Sequence, residues 1–128
     1  MFRKSYPLYR NGERLTYAKG VVAEGRYVFL SGVLSTEGTM GDQAVAVWDG
    51  IKERLEELGS RCENIVQRMT FVTDLPAWRA EGQQRQAQWL QQHAPALLED
   101  QPSSTLVQIV ALAQAGAMLE IQVIALVE

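Results

Sequence analysis

Near the C-terminus, the residues Met118 to Val127 (MLEIQVIALV) limit the possible folds more than any other stretch. Alternation puts Leu119, Ile121, Val123, Ala125 and Val127 on one side and Ile124 and Leu126 on the other, so a strand here is apolar on both faces. The greasy run from Leu106 onward is interrupted by Gln108, Gln114, Gly116, Glu120 and Gln122, which argues against a membrane span. It predicts two strands instead, Thr105 to Ala111 and Met118 to Val127, joined across Gln114 to Gly116. A sheet built on such a strand needs cover on both faces. The chain has 128 residues, enough for one domain spanning 1–128.

Two helices can supply that cover. Ala44, Val47, Trp48, Ile51, Leu55 and Leu58 recur at three- and four-residue steps after Asp42, a candidate cap, and Gly59 is a natural stop. A glutamine-rich helix is predicted from about Ala77 to Gln92, with Trp78, Ala87, Leu90 and Ala94 inward and Trp89 beside them. Strands are predicted at Lys19 to Ala23 and Arg26 to Leu34, paired as a hairpin through Glu24-Gly25, and at Asn64 to Thr73. The order β-β-α-β-α-β-β gives an α+β domain with both helices on one sheet face and a right-handed crossover around the first helix. Its other face, too apolar to be wet, is expected to pack against copies of the chain in a closed ring.

Composition removes several functions. The net charge of -3 and the absence of a basic patch oppose nucleic-acid or anionic-membrane binding. One cysteine, Cys62, excludes an internal disulfide, and one histidine, His93, excludes a multi-histidine metal site. No phosphate-binding loop, dinucleotide fingerprint, nucleophile elbow or zinc-protease motif is present. The N-terminus lacks the apolar core of a secretory signal, so a cytoplasmic location is expected. Arg61 could lower the Cys62 pKa, although a small junction residue is the simpler reading, and His93 has no visible partner to orient it.

Glu120 is the most informative acid, set in an apolar strand on the face opposite Leu119 and Ile121. A structural ion pair and acid–base work are both open to it. Ser31-Gly32 can offer backbone N–H groups to a carboxylate or carbonyl, and Tyr17 could cover a ligand or simply pack.

The stretch VVAEGRYVFLSG, Gln43 before the first helix, the EELG-to-MTFVTDL passage and LEIQVIAL together resemble the RidA (YjgF/YER057c/UK114) family over nearly the whole chain. The resemblance implies a chorismate-mutase-like domain with a mixed six-stranded sheet, assembled as a homotrimer with ligand clefts between subunits. It also implies hydrolysis of small reactive enamines or imines to a keto acid and ammonia, with no metal or organic cofactor. Tyr17 matches the family's covering tyrosine, Ser31 and Gly32 its ligand-binding SG, and Glu120 the glutamate that handles the hydrolytic water. The family's substrate-carboxylate arginine stands in a P-A-R-S/T motif; here Pro102-Ser103-Ser104-Thr105 places Ser104 at that position. Serine offers one neutral hydrogen bond where the family uses a bidentate cation. Gly82 replaces an asparagine common in the second helix, and the His93 to Pro102 linker is atypical. Arg26, Arg68 or Arg79 could replace the missing cation. The alternative is a trimer that binds a small metabolite without turnover, and no basic groove or metal cluster supports a nuclease.

Overall fold

Asn11 and Gly12 have positive φ, 53° and 81°, the backbone that a two-residue hairpin turn requires. They join β1 (Phe2–Arg10) to β2 (Glu13–Glu24) in a two-stranded antiparallel sheet of the computed structural model, which describes residues 1–128. The predicted hairpin through Glu24-Gly25 is therefore corrected. β2 pairs backward with the unpredicted β1, and Gly25, at φ 141°, passes the chain into a second sheet.

That sheet contains β3 (Tyr27–Phe29), β4 (Val33–Leu34), β5 (Ile65–Val72), β6 (Ser103–Gln108) and β7 (Leu119–Leu126). Its order is β3-β7-β5-β6, with β4 also on β7. Only β5 and β6 run parallel, so the sheet is mixed, as expected. The predicted Arg26 to Leu34 strand is interrupted between Phe29 and Val33. Counting its two pieces once gives six strands, but β1 and β2 form their own sheet. The last two strands, joined across Gln114 to Gly116, are not neighbours: β6 and β7 lie on opposite edges of β5.

Helix α1 (Met40–Glu57) starts at Thr39, whose hydroxyl accepts the Asp42 N–H while the Asp42 carboxylate accepts the Thr39 N–H. Asp42 thus caps from the third helical position rather than from the cap itself. Those bonds hold its pKa below the usual carboxylate range. Leu58, predicted inward, lies past the helix end and is 54% exposed. Gly59, at φ 82°, makes the expected left-handed stop.

The second helical segment begins as α2 (Leu75–Ala77), passes through a π turn at Trp78–Gly82, and continues as α3 (Gln83–His93). The wider turn rephases α3. Gln86, Trp89 and Leu90 face inward and Ala87 outward, correcting the predicted Ala87. Trp48 Nε1 donates to Gln86 Oε1 at 2.9 Å, and Trp89 Nε1 to Asp49 Oδ1 at 2.8 Å, tying α3 to α1. A short α4 (Ala96–Glu99) fills the atypical linker and buries Leu97.

Both main helices cover one face of the larger sheet, where Val47, Trp48, Ile51 and Leu55 meet Ile65, Val72, Leu119, Ile121 and Val123 in a continuous core. The opposite face carries Phe29, 71% exposed, with half-buried Met69, Phe71, Val107 and Ile124. Leu126 is the exception on that side, buried beneath Gly25. No helix is long and apolar enough to cross a membrane.

Gln43 is fully buried at the start of α1. Its amide donates to the Gly116 carbonyl at 2.9 Å and accepts the Met118 N–H at 2.8 Å, fastening the approach to β7. Gln43→Leu would keep the volume but remove the partner of two part-buried backbone groups. It should lower unfolding free energy by about 2 to 4 kcal/mol in a denaturant titration; an unchanged midpoint would refute the clamp.

Candidate functional site

Strand alternation divides the sequence-selected residues between two places. Arg68 on β5 is paired with Ser104 on β6 and with Val123 on β7, and it shares the helix-facing side with Thr70 and Val72. A cleft of about 330 Å³ opens beside it, between β2, β5, β6 and the π turn. Tyr17 and Ser104 line this cleft with Arg68, Trp78, Arg79 and Gln86. Arg68 Nε donates to Ser104 Oγ at 3.3 Å and Nη2 to the Thr16 carbonyl at 3.5 Å. Burial pushes the Arg68 pKa down to about 10, so it stays cationic at neutral pH.

Glu120 lies elsewhere. It is paired with Leu34 and Phe71 and faces the open side of the sheet, because its neighbours Leu119 and Ile121 face the core. Its carboxylate packs directly over Gly32; a Cβ there would overlap Oε2 and Cδ. Ser31 and Gly32 occupy the gap between β3 and β4, exposed, and their N–H groups take no backbone partner. A half-buried carboxylate thus stands beside two free backbone donors, an arrangement able to hold a polar group and move a proton next to it.

Within one chain the structure brings Tyr17 to Ser104 and Glu120 to Gly32, but it does not bring the two pairs together. On β6 it is Thr105, one residue past Ser104, that shares the face of Glu120. Of the three candidate arginines, Arg68 and Arg79 line the cleft, whereas Arg26 lies at the β2–β3 turn near the Glu128 carbonyl. Sequence reasoning missed Thr16, Thr70, Trp78 and Gln86 as cleft residues. A signal for the cleft existed in Arg68 and Thr70, polar residues on the buried face of a strand otherwise facing the core with Ile65 and Val72.

The remaining candidates are structural. Cys62 is buried in a short 3-10 turn, Cys62–Asn64. Arg61, which could have lowered its pKa, pairs with Glu128 at 2.6 Å, in keeping with the simpler reading of Cys62 as a small junction residue. His93 is exposed at the end of α3 with its ring 4.4 Å from that of Trp89. No three His, Cys, Asp or Glu side chains are grouped to hold a metal ion.

The family model described as Endoribonuclease L-PSP matches residues 12–127. Among solved structures, Escherichia coli TdcF with bound serine superposes with a TM-score of 0.71 at 23% identity, covering 98% of this chain and 94% of that one. The Escherichia coli YjgF gene product gives 0.70 at 24% identity over 86% and 87%. Rv2704 of Mycobacterium tuberculosis, from the YjgF/YER057c/UK114 family, gives 0.69 at 23% identity over 98% and 100%. Comparison with curated protein sequences gives no match.

The Cys62 environment can be checked directly. Burial, with smaller contributions from Glu63 and Glu56, pushes the thiol up from 9.0 to about 12. At pH 9 about half the thiols of the unfolded chain are thiolate, against about one in a thousand in the folded one. Iodoacetamide at pH 9 should therefore label native protein at least about 100-fold more slowly than protein in denaturant; comparable rates would contradict the buried assignment.

Proposed function

Because the chain belongs to the Endoribonuclease L-PSP family, that of the YjgF/YER057c/UK114 proteins, we propose that it hydrolyses a small enamine or imine metabolite and releases ammonia. The observation that carries this reading is the Glu120 carboxylate seated over Gly32, beside the free N–H groups of Ser31 and Gly32. An enamine first takes a proton on carbon to become an iminium ion. Glu120 then accepts a proton from water as the oxygen attacks the iminium carbon, giving a carbinolamine. It returns the proton to nitrogen, and as the C–N bond breaks it accepts the hydroxyl proton, leaving a carbonyl compound and ammonia; release of that proton to solvent balances the one taken up on carbon. The Ser31 and Gly32 N–H groups hold the carbonyl or carboxyl end of the ligand.

The open apolar face supports completion of this site in a homotrimer. Phe29, Phe71, Val107 and Ile124 lie on the side of the sheet that carries Glu120, so a neighbouring chain covering them would also enclose Glu120. In that assembly Tyr17 of one chain would close over a ligand held by another.

A second reading, binding without turnover, is favoured by one specific observation. Tyr17 and Ser104 open onto the helix-facing cleft, which no Asp or Glu lines, so that cleft alone has no carboxylate to move protons.

With freshly generated short-chain imines, Glu120→Gln should lower ammonia release at least about 100-fold while leaving the sedimentation of the assembly unchanged. Wild-type turnover in that variant would remove Glu120 from the mechanism. No release by the wild-type protein would favour the binding reading. Gly32→Ala should also impair turnover, because its methyl displaces the Glu120 carboxylate; unaltered kinetics would show that the packing has no bearing on the reaction.

A further inference from the structure

Arg68 and Glu120 are the only charged residues in the five strands of the larger sheet, and they stand on opposite faces. Glu120 is therefore the one charge that these strands place on the open face. The segments around it add no cation. Residues 27–51, which hold Ser31, Gly32 and Leu34, and residues 94–128, which hold β6 and β7, contain no Lys, Arg or His. Each arginine considered as a replacement for the family cation lies elsewhere. Arg68 is 6% exposed on the helix side, and Arg79 sits on the π turn beside the helix-side cleft. Arg26 adjoins Tyr27, whose partner Leu126 is six residues along β7 from Glu120, roughly 20 Å away.

From this distribution we infer the substrate class of the hydrolytic site: an imine or enamine with apolar substituents and no carboxylate. The inference rests on the proposed hydrolysis and narrows it. A carboxylated substrate would bring a second anion beside Glu120 with no cation on that face to offset it, and like charges in a partly desolvated site repel. The Ser31 and Gly32 N–H groups are neutral donors, suited to a carbonyl oxygen but without net charge to balance an anion. The iminium ion is itself a cation, which the Glu120 carboxylate stabilises directly. Leu34 and Phe71, paired with Glu120 on its two flanks, give the rest of the molecule an apolar seat. Water adds to the C=N bond of such an imine and ammonia leaves, so the product is a neutral aldehyde, ketone or oxo-amide.

The test compares two isosteric substrates on the full chain, 2-imino-4-methylpentanoate and its carboxamide, each freshly generated, with ammonia release measured above the spontaneous rate. The carboxamide should be turned over with a kcat/KM about 10- to 100-fold higher. Thr105→Arg would set a cation at an exposed position on the face of Glu120. It should raise kcat/KM for the carboxylate at least about 5-fold and leave that for the carboxamide within about 2-fold. The wild-type comparison decides by itself if that variant fails to assemble. Equal or faster turnover of the carboxylate by the wild-type protein, or an unchanged preference in an assembled Thr105→Arg variant, would overturn the substrate class and leave the hydrolysis standing. No ammonia from either imine would remove the hydrolytic reading, and the substrate class with it.

Discussion

The antiparallel register of β5 on β7 sets what each functional side chain can reach. It pairs Arg68 with Val123 and Phe71 with Glu120. Because side chains alternate along a strand, these pairings send the guanidinium toward the helices and the carboxylate toward the open face. A slip of β7 by one residue would turn Glu120 into the core and put Leu119 and Ile121 on the open face. Two features oppose that slip: the Gln43 clamp at the entry to β7, and the Leu30 N–H bond to the Val123 carbonyl on its other edge. Chemistry and packing are specified by the same ladder.

The two candidate sites use burial in opposite ways. Glu120 is half-buried, with unpaired backbone donors beside it, and an incoming subunit would change its surroundings. Arg68 is already enclosed by its own chain, and its depressed pKa reflects desolvation with no opposing charge. Below about pH 10 the folded state therefore carries an uncompensated cation. The unfolded chain keeps that cation solvated, so this part of the folding free energy is unfavourable at neutral pH and is relieved only as pH rises above about 10.

The sequence made the core faces of α1 and β7 readable because each repeats one period without interruption. The same periodicity failed in the second helix, where the π turn changes the phase between Trp78 and Gln86 and no residue type announces it. Strand partners were less legible than strands. β2 was expected to pair forward with β3 but pairs backward with β1, whose sequence FRKSYPLYR lacks a regular apolar alternation and carries an internal proline. Motif reading identified Glu120, Gly32, Tyr17 and Ser104 as chemically informative, yet it could not show that they sort into two pairs. That depends on strand parity across β6, where Ser104 and Thr105 differ by one position and point to opposite sides.

The β1–β2 arm has a dynamic consequence. Its links to the body are mostly made by side chains: Arg3 to the Ile65 and Asp100 carbonyls, Ser5 to the Gln101 carbonyl, Arg14 to Glu99, and Gln101, Arg68 and Tyr27 to the Leu15, Thr16 and Ala23 carbonyls, with one backbone bond from Ala18 to Pro102. Such an arm can lift away as a unit, keeping its own ladder, while the main core remains closed. Amide exchange would then report an arm that opens far more often than β5 or β7. Since Tyr17 and Thr16 travel with it, the wall of the Arg68 cleft would come and go on that timescale, making the arm a gate in front of the most enclosed charge in the molecule.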